Sequence, residues 1–202
     1  MQKYLLNQTI QIPKFEIPEV TIHKVHYQTN KVIGQGKNAT IYLATDTTNH
    51  RLVALKAIEL EDDVVQADFI RRELECLTLL ETFCQQYVLC YIDSDVVTIK
   101  SEDEYGTTKT KYYIIITKFL EDYITWKEFK KKYPEKTKEV KKNIKIAIEF
   151  IHNKKVYHGD LHDENIMIHP ETLDVRIIDF GYCQINPKQN LYPYDYENIK
   201  KK

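Results

Sequence analysis

Glycine is scarce in this chain: 202 residues contain five, at Gly34, Gly36, Gly106, Gly159 and Gly181. Glycine serves where the backbone takes positive φ or approaches a ligand closely, so each of these positions calls for a reason. Other shortages exclude whole classes. No apolar run reaches the roughly 18 residues of a membrane-spanning helix, so no membrane span is expected. Residues 1–14 lack the basic flank and apolar core of a secretory leader. No C-x-x-C pair occurs among Cys76, Cys84, Cys90 and Cys183, which therefore read as reduced thiols of a cytoplasmic protein rather than as metal ligands. Neither charge sign is in excess: 29 basic against 30 acidic residues, net −1, speak against a nucleic-acid binder by bulk charge. What remains, 43% hydrophobic and 29% charged residues without repeats or low-complexity segments, describes one soluble globular unit.

Along the chain, residues 1–25 contain Pro13 and Pro18 and read as an extended arm. Three apolar runs, around Lys31–Ile33, Thr40–Ala44 and Leu52–Ile58, predict an antiparallel meander. Residues 61–84 predict a helix with Phe69, Leu77, Leu80 and Cys84 on one face. Two more strands are expected at Val88–Val97 and Tyr112–Thr117, joined by a loose polar hairpin over Lys100–Lys111. Nine lysines follow between Lys127 and Lys145, and Val140, Ile144, Ala147, Ile148 and Ile151 form the apolar stripe of an amphipathic helix. The lysines read as a solvated face, with an acidic partner as the sharper alternative. Short apolar runs at Val156–Asp160, Ile166–Ile168 and Val175–Ile178 come next. The last 21 residues, after Gly181, show little helical period.

Five constellations carry chemistry. In Ile33-Gly-Gln-Gly-Lys-Asn-Ala-Thr-Ile41 two glycines bend the chain between two strands, where backbone N–H groups can fold over phosphates; alone, the string also fits an ordinary hairpin. Lys56 ends the apolar run Val53-Ala-Leu, at an edge or aimed at those phosphates. Glu73 lies inside the apolar stripe of its helix, where a carboxylate needs a partner, and Lys56 is the obvious one. In His158-Gly-Asp-Leu-His-Asp-Glu-Asn165, Asp160 and Asn165 stand on a tight loop: one can accept a proton from a hydroxyl while the other ligates a metal. Asp179-Phe-Gly181 places an acid at a strand end, suited to Mg²⁺ or to a plain turn.

In order and spacing these segments resemble the protein-kinase superfamily over about residues 26–185: glycine-rich loop, V-A-I-K strand, helix glutamate, H-R-D-type loop and D-F-G. The resemblance implies an α+β, two-lobe fold. A 1–25 extension would precede an N-lobe at 26–117, with a five-stranded antiparallel sheet and one helix. The hinge and a reduced helical C-lobe would fill 118–202. It further implies ATP and Mg²⁺. Ile33, Gly34, Gln35, Gly36, Lys37, Asn38, Ala39, Thr40 and Ile41 would cover the phosphates, with Ala39 where a third glycine usually stands. Lys56 would hold the α- and β-phosphates and pair with Glu73. Asp160 would take the proton from the acceptor hydroxyl, and Asn165 and Asp179 would bind Mg²⁺. Ile41, Ala54 and Met167 would sandwich adenine, Thr117 would stand behind it, and Lys118, Phe119 and Leu120 would form the hinge.

Three departures bear on activity. Gly159 replaces the H-R-D arginine, which implies the absence of control through a phosphorylated activation loop. His162 stands where a lysine is usual, and His-Gly-Asp-Leu-His is similar to small-molecule kinases of the aminoglycoside and choline type. No A-P-E segment follows Gly181. The resemblance therefore implies a minimal serine/threonine-protein kinase acting on a protein. A kinase-like decoy docked on another kinase or regulator, or a small-molecule kinase, are the alternatives. Abundant Lys, Asn, Ile and Tyr, with AT-rich codons, suit a virus or intracellular parasite, whose protein would work in host cytoplasm.

Overall fold

The computed structural model describes residues 17–36, 39–61, 64–103 and 106–200. Its strands are β1 (Glu19–Ile22), β2 (Val25–Gln35), β3 (Thr40–Asp46), β4 (Arg51–Glu59), β5 (Tyr91–Asp103), β6 (Gly106–Lys118), β7 (Ile124–Thr125), β8 (Val156–Tyr157), β9 (Ile166–Ile168), β10 (Val175–Ile177) and β11 (Gln184–Ile185). Its helices are α1 (Val64–Leu80), α2 (Trp126–Lys132), α3 (Thr137–Asn153) and α4 (Tyr192–Lys200).

β1 to β6 form one antiparallel sheet in the order β1-β2-β3-β4-β6-β5. The expected five strands become six because Glu19–Ile22, within the supposed arm, pairs with β2 through a turn that holds His23 and Lys24 at positive φ. That turn also meets the opposite edge of the sheet: His23 Nδ1 lies 3.0 Å from the Asp93 carboxylate on β5. Strand side chains alternate between faces. On one face Tyr42, Ala44, Val53, Leu55, Ala57, Tyr112, Ile114 and Ile116 bury against Ile17, Val20, Ile22 and Tyr27, a core belonging to the sheet alone. Ala54, Lys56 and Thr117 alternate with them along β4 and β6 and so take the other face.

The loose hairpin over Lys100–Lys111 is corrected: the β5–β6 ladder continues to Asp103 opposite Gly106. Thr98, Thr107, Thr108 and Thr110 carry strand propensity without hydrophobicity, so a polar segment stays extended.

The second core lies under α1 and α3. Leu77 and Leu80 of α1 meet Val140, Ile144, Ala147, Ile148 and Ile151, the stripe predicted for α3, together with Trp126, Phe129, Leu161, Ile166, Ile177 and Phe180. A capping box between Thr125 and Glu128 starts α2, and Pro134 separates it from α3.

The final segment is also corrected, for α4 runs from Tyr192 to Lys200. Its inward positions are Tyr192, Asp195, Tyr196 and Ile199, a helical spacing disguised by one acid. Asp195 is fully buried and replaces an apolar anchor. The thiol reading is corrected as well: Cys76 is joined to Cys183, and Cys84 to Cys90. A separation of 107 residues for the first pair explains why local spacing gave no sign of it.

Candidate active site

Lys56 points from the middle of β4 toward α1. Its ammonium donates to both oxygens of Glu73, at 2.9 and 2.8 Å, and to Asp179 Oδ1 at 2.9 Å. Glu73 is almost fully buried, as its place in the α1 stripe demanded. Burial would lower the Lys56 ammonium, but Glu73 and Asp179 outweigh it and hold Lys56 above its ordinary value. Burial pushes the Glu73 carboxyl up, with Lys56 opposing. Burial would also raise Asp179, yet Lys56 prevails and keeps that carboxyl below the usual range. Asp179 sits at φ 63°, a left-handed conformation that a non-glycine residue holds only when its surroundings enforce it.

The loop before β9 carries Asp160, with a half-exposed carboxylate. Its backbone is held from several sides. His158 is buried; its Nε2–H donates to the Ile178 carbonyl at 2.9 Å, and its Nδ1 accepts from the Asp160 amide at 3.3 Å. Burial keeps the His158 imidazole below its ordinary pKa and hence neutral, the form this pair of bonds requires. Asn165 donates its side-chain N–H to the Asp160 carbonyl at 2.9 Å, which leaves the amide oxygen for another partner. The Asn165 carbonyl accepts from Ile178, next to Asp179. His162 Nδ1 accepts from the Glu164 amide, and its Nε2 lies 3.7 Å from Asp160 Oδ2.

Gly159 has a geometric reason. Its φ is +85°, and an added Cβ would overlap the Tyr182 carbonyl oxygen. β11 pairs with β8 and lays Tyr182 against the loop, so the arginine usual here has no room.

The glycine-rich bend joins β2 to β3. Gly34 opposes Ile41, Gln35 opposes Thr40, and the Gly36 amide donates to the Ala39 carbonyl at 2.9 Å. Lys37 and Asn38 lie outside the described residues. Ile33 is exposed. Ala54 stands beside Thr117 in the β4–β6 register. Met167 is half-buried in the centre of β9, opposite Thr125 and Arg176. The Lys118 amide donates to the Cys90 carbonyl, and Lys118, Phe119 and Leu120 help line a cavity of about 400 Å³ with Cys84, Cys90 and Arg176.

The sequence reading missed the anchor beneath the loop. Asp195 accepts from the His158 and Gly159 amides at 3.0 and 3.1 Å and from His152 Nε2 at 2.9 Å. His152 closes the last turn of α3, next to the buried Ile151, and the inward spacing of α4 was the other available signal. Asp163 was also missed: one carboxylate oxygen pairs with Lys130 of α2, and the other is buried without a hydrogen-bond partner among the described residues.

The sequence is similar to known proteins. Residues 27–197 match the protein kinase domain. The carbon catabolite-derepressing protein kinase of Saccharomyces cerevisiae is 30% identical over 186 residues, 89% of this chain and 26% of that protein. CBL-interacting protein kinase 10 of Oryza sativa subsp. japonica is 30% identical over 164 residues, 77% of this chain and 32% of that protein. The serine/threonine-protein kinase pakC of Dictyostelium discoideum is 29% identical over 166 residues, 81% of this chain and 32% of that protein. The chain thus spans a quarter to a third of the length of these relatives. The domain match begins in β2 and ends in α4, and the chain belongs to the protein kinase family.

Proposed function

We propose that this chain is an ATP- and Mg²⁺-dependent phosphotransferase that moves the γ-phosphoryl group of ATP to a serine or threonine hydroxyl of a protein. The observation that carries the reading is Lys56 held between Glu73 and Asp179, with Asp160 on a loop that His158 braces against Ile178, the residue before Asp179. A charged lysine fixed by two carboxylates is ready for a polyphosphate, because its orientation is set before the ligand arrives. Ile41, Ala54 and Met167 would enclose adenine below Thr117. The Lys118 amide is already engaged, so its carbonyl and the Phe119 and Leu120 backbone would meet the base.

Asp160 orients the acceptor hydroxyl and takes its proton as that oxygen bonds to the γ-phosphorus and the bond to the bridging oxygen of ADP breaks. Asp179 and the Asn165 amide oxygen are hard oxygen donors, the kind Mg²⁺ takes, and they are the residues that would hold it. When bound, Mg²⁺ neutralises phosphate charge. The name of the Dictyostelium relative supports the serine/threonine preference.

The test is transfer of labelled phosphate to a protein mixture, with nucleotide binding measured in parallel. Asp160→Ala is expected to bind Mg–ATP and to lose transfer by about 100-fold or more, the usual contribution of a positioned base. Lys56→Met is expected to lose transfer too. Wild-type protein that is folded and binds no nucleotide would turn the reading to the decoy. Transfer to amino-alcohols or aminoglycosides, and not to protein, would turn it to a small-molecule kinase.

A further inference from the structure

The Cys76–Cys183 bond lies at a consequential place in this fold. Cys76 comes one helical turn after Glu73 on α1, and Cys183 comes two residues after Gly181, in the segment that follows Asp179. The bond therefore ties together the two elements whose carboxylates grip Lys56 from either side. Both cysteines are buried, and the junction is extended by Phe69 of α1 set edge-on against Tyr182, with ring centroids 4.6 Å apart. At this junction Lys56 bridges Glu73 to Asp179, the Phe69 and Tyr182 rings pack directly across it, and the Cys76–Cys183 bond is the covalent link among the described contacts. The second bond, Cys84–Cys90, closes a loop of local chain and joins neither carboxylate carrier.

We propose that Cys76–Cys183 is a thiol-controlled clamp: oxidised, it fixes α1 and Glu73 against the Asp179 segment, and reduced, it lets α1 move and the Lys56 cluster loosen. A cross-link over 107 residues removes far more freedom from the open chain than one over six, so this bond, rather than Cys84–Cys90, is the one that governs the site. The chemistry is thiol–disulfide exchange with a small thiol of the glutathione class. The thiolate of one such molecule attacks one sulfur, forming a mixed disulfide and expelling the other cysteine as thiolate. A second small thiol resolves the mixed disulfide. Two electrons pass to the protein, two protons end on Cys76 and Cys183, and the small molecules leave as their own disulfide. Because both sulfurs are buried, reduction proceeds from a locally opened state in which α1 and the Cys183 segment, still joined, become accessible together.

The control of nucleotide binding rests on the proposed function above; the clamp itself does not. Full-length protein is equilibrated with oxidised glutathione or with dithiothreitol, the bonds are mapped by non-reducing peptide analysis, and amide exchange of residues 66–80 is followed by mass spectrometry. On reduction, α1 amides of the wild type and of C84S/C90S are expected to exchange faster by about tenfold or more, while C76S/C183S shows the fast rate in both conditions. Absence of a Cys76–Cys183 peptide in oxidised protein, unchanged α1 exchange on reduction, or a redox response that persists in C76S/C183S would each overturn the clamp. Should C76S/C183S fail to fold, C84S/C90S keeps only the clamp pair and decides the question alone. Mg–ATP affinity is measured in both states. Weaker binding after reduction supports control of the site, and equal binding overturns that control. Binding in neither state overturns the proposed function and leaves the clamp to the exchange result.

Discussion

The two halves of this molecule hold their shape by different means. The six-stranded sheet encloses an apolar core of its own, fed by strict alternation along β3, β4 and β6. Its one fully buried acid among the described residues, Asp46, ends a strand and serves a local turn: its oxygens accept from the Thr48 and Asn49 amides, the Asn49 side chain and Arg51. The other half has short strands of two or three residues and places buried polar groups between distant segments. Asp195 links α4 to the Asp160 loop and to α3, His158 links that loop to Ile178, next to Asp179, and Asp163 links it to α2. A core of alternating side chains tolerates local change, whereas a loop hung on single polar anchors fails when one is removed.

The sharpest way to break the comparison is Asp195→Ala. It strands two buried amides and His152, and a loss of about 4 kcal/mol is expected in urea unfolding, since removing one partner of a buried polar set leaves the others unsatisfied. A loss below about 1 kcal/mol would show that α4 is ornamental to the loop. Next is Gly159→Ala, which forces a Cβ against the Tyr182 carbonyl at φ +85°; about 3 kcal/mol is expected from strain and displacement. Its effect should centre on the exchange of residues 156–160 and 182–185, leaving β2–β4 protected.

The smallest effect is a pH dependence that separates the halves. Burial lowers the folded-state pKa of His158 below its ordinary value of 6.5, so the unfolded chain binds the extra proton first. Stability from this group is complete above about pH 6.5 and falls as pH drops below it. For Asp46, burial is outweighed by hydrogen bonds from Asn49, Arg51 and Thr48, so its carboxyl stays below the ordinary value of 3.8. Its stabilisation is present above that value and is lost only as pH falls through the lower folded-state value. Amide exchange followed from pH 7 to pH 4 should therefore show the Asp160 loop loosening before the sheet. Simultaneous loosening of both would contradict the division.

Legibility followed the same line. The α3 stripe, the β2–β4 meander and the burial of Glu73 could be read from period and spacing, because each is a property of one short segment. β1 escaped because its partner strand, rather than its own weak alternation, makes it a strand. The tip of the β5–β6 hairpin escaped because threonine carries strand propensity without hydrophobicity. α4 escaped because its central inward residue is Asp195, which breaks the apolar pattern that marks a buried face.

What the sequence determined by itself is the inventory of chemistry and the family resemblance: a lysine in an apolar strand, a glutamate in an apolar helix face, and acids at the ends of short apolar runs. Such features are set by local hydrophobic period and by the cost of burying charge, so they can be read without coordinates. Only the tertiary structure decided that Lys56 meets both Glu73 and Asp179, that Tyr182 leaves room for nothing but glycine at position 159, that Asp195 braces the loop, and that Cys76 reaches Cys183. Each of these joins residues far apart in the chain, and a contact of that kind follows from how the elements pack rather than from the period of any one of them.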